Sequence, residues 1–311
     1  LTFLPPGLVP LRLSAFRFMT LYPANLLEVL EFNKILENAS IWCLGSRASK
    51  QILDLKPLTD QHSIQSSLLR VKQCVDLIGV GSDLPLTSYQ DLDDSLRWLE
   101  KDQSIIEKDA AIEVRNQCRM MSDLLSFFSG DRKLEYTELA RILPNDDTCA
   151  ALLKELEKIF DDEGEIRDSA SSDLRQIRKQ ISSKKSAIDH AFNKALARYR
   201  QVGYLADTLE SYRNNRRVLA VLAEAKRKVK GLIHDESSTG RTVYVEPEES
   251  ILLTNEWFDL KNDERREISR ILLQLSERLR IEHEYLVEQQ DALTLLDSIR
   301  ARAKQAIALH A

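Results

Sequence analysis

Over most of this chain apolar residues recur at three- and four-residue steps, the period of helices with one buried face. Leu26, Leu27, Leu30 and Ile35 set it in a helix expected from Pro23 to Leu36. A short helix from Ser49 to Ile52 follows and stops before Pro57, because the residue ahead of a proline is pushed off helical backbone. Thr59 and Asp60 offer a cap for a third helix carried by Ile64, Leu68, Cys74, Val75 and Ile78, which ends at the Gly79-Val80-Gly81 turn. Further helices are expected at about Leu92 to Glu100, Ile105 to Phe128 and Cys149 to Phe160. This part of the chain reads as a multi-helix packed body.

A boundary falls at Gly164, after the acidic Asp161-Asp162-Glu163. Beyond it Leu174, Ile177, Ile181, Ile188, Ala195 and Tyr199 keep a narrow seam, broken at Lys184 where an apolar residue is due. One helix of this length reaches about 50 Å. The period changes after Gly203. Val218 to Leu222, Val229 to His234 and Arg241 to Val245 carry β-branched and aromatic residues around the turn-prone 235–240 stretch, which predicts a small sheet with a hairpin from about Tyr212 to Val245. Helix returns after Pro247, with Glu248 and Glu249 suited to a positive helix end. Ile268, Leu272, Leu275, Leu279, Leu286 and Leu293 form its seam, expected to pack antiparallel to the helix from Leu174 to Tyr199.

Composition supports a mainly α fold. The 311 residues include only nine glycines and eight prolines, and Pro247 is the only proline after Asn145, so little interrupts long helices in the second half. The formal charge of -5 excludes a uniformly basic coat and makes any nucleic-acid contact local. Cys43, Cys74, Cys118 and Cys149 lie far apart with no C-x-x-C pair, which points to buried, reduced thiols in a cytoplasmic protein. No uninterrupted apolar stretch is long enough for a membrane helix. The first eighteen residues, with three prolines, two arginines and no acid, stand apart from the text that Met19 opens, and are expected to be a leader outside the fold.

Six stretches together resemble one family: NLLEVLEFNKILE, EGEIRDSASSDLRQIRKQI, RNNRRVLAV, VKGLIHDESSTGRTVYVEPEE, LTNEWFDLKNDERREISRIL and LDSIRARAKQAIA. The family is the MutS superfamily, in its second bacterial branch, the endonuclease MutS that carries a C-terminal Smr domain. The likeness runs from about Met19 to Ala311, and HDESSTGRTVYVEP is its most specific part. It implies a helical core over 19–163, an ascending lever helix over 164–202, a small β-rich clamp-like element over 203–247 and a descending lever helix over 248–311. It further implies a homodimer that spans DNA, an ATPase binding ATP and magnesium, and an Smr nuclease, the last two outside this segment. Roles in DNA repair, suppression of recombination and stalled-ribosome sensing with rRNA binding come with the branch. No G-x-x-x-x-G-K-S/T run occurs here, so no phosphates are cradled in the P-loop manner and no cofactor is expected in this segment. One departure is the stretch Asn214-Asn215 to Ala220, where the family has a glycine and a proline; Asn215 still tolerates the positive φ of a turn.

Charge singles out the candidate site. Between Thr208 and Lys230, Arg213, Arg216, Arg217, Lys226, Arg227, Lys228 and Lys230 face two acids, Glu210 and Glu224, a local net of +5. Such a concentration attracts a phosphate backbone without reading bases; cross-strand ion pairs on a solvated face are the alternative. On the long helix Arg175, Arg178, Lys179, Lys184, Lys185, Lys194, Arg198 and Arg200 are scattered around the axis, as on a coiled-coil flank. His234, Asp235, Glu236 and Glu246 supply one histidine and turn-forming acids, short of a metal set or a catalytic pair. Trp257, Phe258 and Tyr285 on the return helix, and Tyr244 in the hairpin, are expected in the core more than on bases. No catalytic residue is assigned. The rival to nucleic-acid binding is a structural coiled-coil module whose seams hold a partner helix.

Overall fold

The computed structural model describes residues 25–144 and 147–310. The expected leader, Met19 and the helix start at Pro23 lie outside them.

In chain order the helices are α1 Leu26–Val29, α2 Phe32–Ser40, α3 Ser46–Leu53, α4 Gln61–Gly79, α5 Asp93–Leu99 and α6 Lys108–Phe127. They continue as α7 Asp131–Glu135, α8 Thr137–Ala140, α9 Thr148–Ile159 and α10 Ser172–Gln201. Strands β1 Leu205–Arg213, β2 Arg216–Leu222, β3 Gly231–Glu236 and β4 Thr242–Pro247 precede α11 Glu248–Ile281 and α12 His283–Leu309. The chain is mainly helical with one small antiparallel sheet, as expected. It divides into two compact units. The first holds the described residues up to Asp91 with Asp123–Pro144 and Gln289 onward; the second holds Leu92–Ser122 and Asn145–Glu288.

In the first unit Leu36, Ala39, Ile52 and Ala301 form a core flanked by Phe32, Cys43 and Leu55. The expected first helix is two, because Glu31 takes a left-handed φ of 51° between them. The cap read at Asp60 is present, its carboxylate accepting from the Ser63 backbone N–H at 2.8 Å. Buried Asp297 accepts from the N–H groups of Leu44 at 2.9 Å and Gly45 at 3.0 Å, and from the Tyr89 hydroxyl at 3.3 Å. Gly45 is required there, since a Cβ would come within 2.4 Å of the Tyr89 ring. All four cysteines are free. Cys43 is only partly buried, against expectation, yet burial and then Asp297 push its thiol up to about 12, which keeps it protonated.

In the second unit α10 is capped by Ser171, whose hydroxyl accepts from the Leu174 N–H at 2.9 Å, with Asp173 in its first turn and Arg198 and Arg200 in its last. It packs against α11 in the opposite direction: Ser171 meets Glu267, Arg178 meets Glu264, Lys184 meets Glu256 and Arg198 meets Glu249, at 2.6–2.9 Å. Lys184, the break in the seam, is thus an interhelical ion pair. The pairing differs from expectation in which part of the return helix it uses. The apolar seam from Ile268 to Leu293 is split by the end of α11 before Glu282, and the residues facing α10 lie earlier, between Glu249 and Glu267. Buried Leu272, Leu275 and Leu279 accompany Ser276, which receives the Ile106 N–H at 2.8 Å, and Arg280, which donates to the Leu99 carbonyl at 2.7 Å. The long apolar residues serve the helical body, while complementary charge lines the pair.

The sheet order is β1-β2-β4-β3, all antiparallel. β1 lies almost wholly ahead of the expected sheet start at Tyr212. Its polar sequence hides it, and a bulge with Leu209 at φ 56° interrupts its pairing. Asn214 and Asn215 join it to β2 with φ of 50° and 59°, the two-residue turn that antiparallel strands favour. Val218–Val221 are buried throughout, so β2 is covered on both faces. Leu219, Val221, Val243 and Val245 pack on Phe192, Ala195 and Tyr199 of α10, which holds the sheet on the helix end.

Candidate nucleic-acid interface

The seven candidate bases separate into two groups. Arg216 donates to both oxygens of Glu246 at 2.9 and 3.0 Å and to Asn255 at 2.6 Å. Glu246 is 1% exposed and also bonds His234 Nε2 at 2.8 Å, where a bulge in β3 at His234 turns the ring toward it. Arg217 reaches Glu210, Asp189 and Asn193 and lies 4.2 Å from the Phe192 ring centroid. Arg213 bonds Asp235 at 2.9 Å over the Tyr244 ring. These three arginines cross strands and tie the sheet to α10 and α11, the cross-strand ion-pair alternative. His234 and Glu246 serve the same buried cluster.

Lys226, Arg227, Lys228 and Lys230 stand differently. The segment between β2 and β3 is pinned inward by Ala225 and Val229, both buried in the core under the sheet. Lys226, Arg227 and Lys228 lie between those two anchors and Lys230 just beyond them, and all four are exposed. Lys226 has a loose partner in Glu236 at 3.5 Å, and Lys228 sits 5.2 Å from the Tyr204 ring centroid. Arg227 and the Lys230 side chain have no carboxylate partner among the described residues. Backbone bonds fix the segment: Lys230 N–H donates to the Tyr199 hydroxyl at 3.1 Å and Ala223 N–H to the Arg241 carbonyl at 3.0 Å. Exposed Arg241 therefore joins this end of the sheet, a member that linear charge counting missed and only strand register reveals.

On α10, Arg178, Lys184 and Arg198 are engaged by acids, whereas Arg175, Lys179, Lys185, Lys194 and Arg200 are exposed. Tyr285 is buried, and Trp257 and Phe258 are half-buried with their rings edge to face. Among the described residues no three histidine, cysteine or acidic side chains converge for a metal. Nor does a run of glycines open a helix among the described residues. No helix among these residues is long and apolar enough to cross a membrane.

No protein-family model matches the chain. Curated relatives do. It is 32% identical over 256 residues, 82% of its length, to endonuclease MutS2 of Lactococcus lactis. It is 32% identical over 284 residues, 90% of its length, to endonuclease MutS2 of Clostridium perfringens, and 29% identical over 293 residues to that of Lactobacillus johnsonii. A mainly helical chain with a small sheet borne on a helix pair, and likenesses of this extent, place it in the MutS superfamily. Within that superfamily it belongs to the MutS2 branch. The chain spans 32–36% of the length of these relatives.

Proposed function

We propose that this chain is the core, lever and clamp portion of a cytoplasmic, homodimeric, ATP-dependent protein that grips the nucleic-acid backbone without reading sequence. The α10–α11 pair is the lever, and the sheet with its exposed 226–230 segment is the clamp. ATP binding and hydrolysis, and any endonuclease cleavage, belong to the remainder of the protein, and this portion supplies grip. Suppression of recombination, DNA repair and sensing of stalled ribosomes are the processes such a grip serves.

The observation that carries the proposal is the exposed row of Lys226, Arg227, Lys228 and Lys230, anchored by Ala225 and Val229 and little neutralised by acids. Cations held this way release counterions from a phosphate backbone. Arg213, Arg216 and Arg217 build the sheet that presents them. The test is duplex affinity across a salt series for the unaltered chain and for Lys226→Ala, Arg227→Ala, Lys228→Ala and Lys230→Ala combined. Binding should weaken steeply with salt, and each lost contact should lower the log-log slope by about 0.9. An unchanged slope in the combined variant would move the interface elsewhere, with Lys185 and Lys194 the next to substitute. A chain that binds no duplex even at low salt would favour the coiled-coil module.

A further inference from the structure

The first unit contains a cavity of about 430 Å³ lined by the end of α3 and the loop after it, α4, and the later part of α12. That volume is typical of small-molecule sites. Its polar side holds two guanidiniums. Arg302 donates to the Ser298 carbonyl and the Ser67 hydroxyl, both at 3.3 Å, and has no carboxylate partner among the described residues. Arg70 has its nearest carboxylate oxygen, on Glu138, at 3.9 Å, and its Nε is buried without a hydrogen-bond partner. Glu138 is already engaged by Arg141 and by the Ser66 hydroxyl at 3.0 Å. The lining also includes the apolar side chains of Ile52, Leu55, Leu58 and Leu295.

This arrangement departs from the rest of the unit, where Arg300 meets both oxygens of Asp83 at 3.0 Å. Arg302, half-buried and without an acid, and Arg70, held only loosely by Glu138, leave positive charge at the cavity that an anion would offset. Burial, and then Arg70, lower the Arg302 pKa, as expected for a cation short of a counter-charge. Ser67 Oγ accepts from Arg302 and keeps its own hydrogen to donate. Leu58, 51% exposed, extends the apolar lining toward solvent.

We propose that this cavity binds a phosphomonoester with an apolar or aromatic body, the phosphate between Arg70 and Arg302 and the body against Leu55, Leu58 and Leu295. Two guanidinium forks match a tetrahedral dianion better than a planar carboxylate, which one fork satisfies. None of its lining residues belongs to the basic sheet segment.

Isothermal titration of the 311-residue chain with phenyl phosphate, inorganic phosphate, benzoate and phenol tests this. Phenyl phosphate should bind one site, more tightly than the other three. Arg302→Gln and Arg70→Gln should each weaken it roughly tenfold to a hundredfold, the worth of a charged hydrogen bond. Binding unchanged in both variants, absent in the unaltered chain, or no tighter than that of benzoate would overturn the proposal. Should a variant fail to fold, labelling of the unaltered chain with 4-hydroxyphenylglyoxal replaces it. Phenyl phosphate should protect Arg302 and Arg70 from modification read by mass spectrometry, and equal labelling with and without it would overturn the assignment.

Discussion

Arg216 donates to both oxygens of Glu246, which is almost wholly buried, so shortening the arginine strands a carboxylate that keeps only His234. Breaking a buried pair from one side costs about 3 kcal/mol. Arg216→Ala should therefore speed hydrogen exchange in β2 and β4, and any loss of DNA affinity in that variant would reflect a loosened sheet. Lys228→Ala should leave that exchange unchanged. Asp83 carries a different consequence. Burial pulls its pKa up, but hydrogen bonds from Arg300 and Lys304 prevail and hold it below the ordinary carboxylate range. A depressed folded value means stability that is present above the unfolded pKa and lost as pH falls through the folded one. Melting temperature should thus drop on acidification below about pH 5, and Asp83→Asn should be less stable at neutral pH with a shallower acid limb. An identical acid limb in the variant would remove Asp83 from the acid response.

The pairing of α10 with α11 combines few buried apolar anchors with a row of half-exposed ion pairs. Such pairs are worth about 0–1 kcal/mol each, whereas truncating a fully buried leucine costs about 2–5 kcal/mol. Leu174→Ala should accordingly destabilise the second unit strongly in urea unfolding, while Lys184→Met should change it by less than about 1 kcal/mol. The reverse order would mean that charge, not burial, holds the pair. Element type was legible where local chemistry decides it. Asp60 caps a helix, Asn214-Asn215 turns a hairpin, and Pro247 opens α11. What was hidden depends on partners distant in sequence. β1 is a strand because β2 lies beside it, since Leu-Ala-Asp-Thr-Leu-Glu-Ser has little strand character of its own. The return seam could not reveal that Leu272, Leu275 and Leu279 serve the helical body, because an apolar stripe says nothing about what covers it. Likewise the count of seven bases could not separate Arg213, Arg216 and Arg217 from the exposed four, because Glu246 and Asp189 meet them only in the folded chain.

For the whole molecule, a net charge of -5 with an exposed basic row at one end of the sheet makes any grip on phosphates a property of that place alone. No ATP turnover is expected from the 311-residue chain, and steady phosphate release from a contaminant-free preparation would reveal a site not seen among the described residues. The contact of Arg198 with Glu249 across the end of the helix pair has a consequence for how such proteins diversify. Residues 202–247 leave and rejoin the pair at one spot, so they form a cassette inserted into a helical hairpin. Lengthening, trimming or exchanging the cassette changes what the tip touches while the register of α10 against α11 stays the same. A short turn in its place, with Phe192, Ala195 and Tyr199 made polar where the sheet had covered them, should leave the two helices paired. Selection can then retool the gripping end in a lineage without reworking the shaft that carries it.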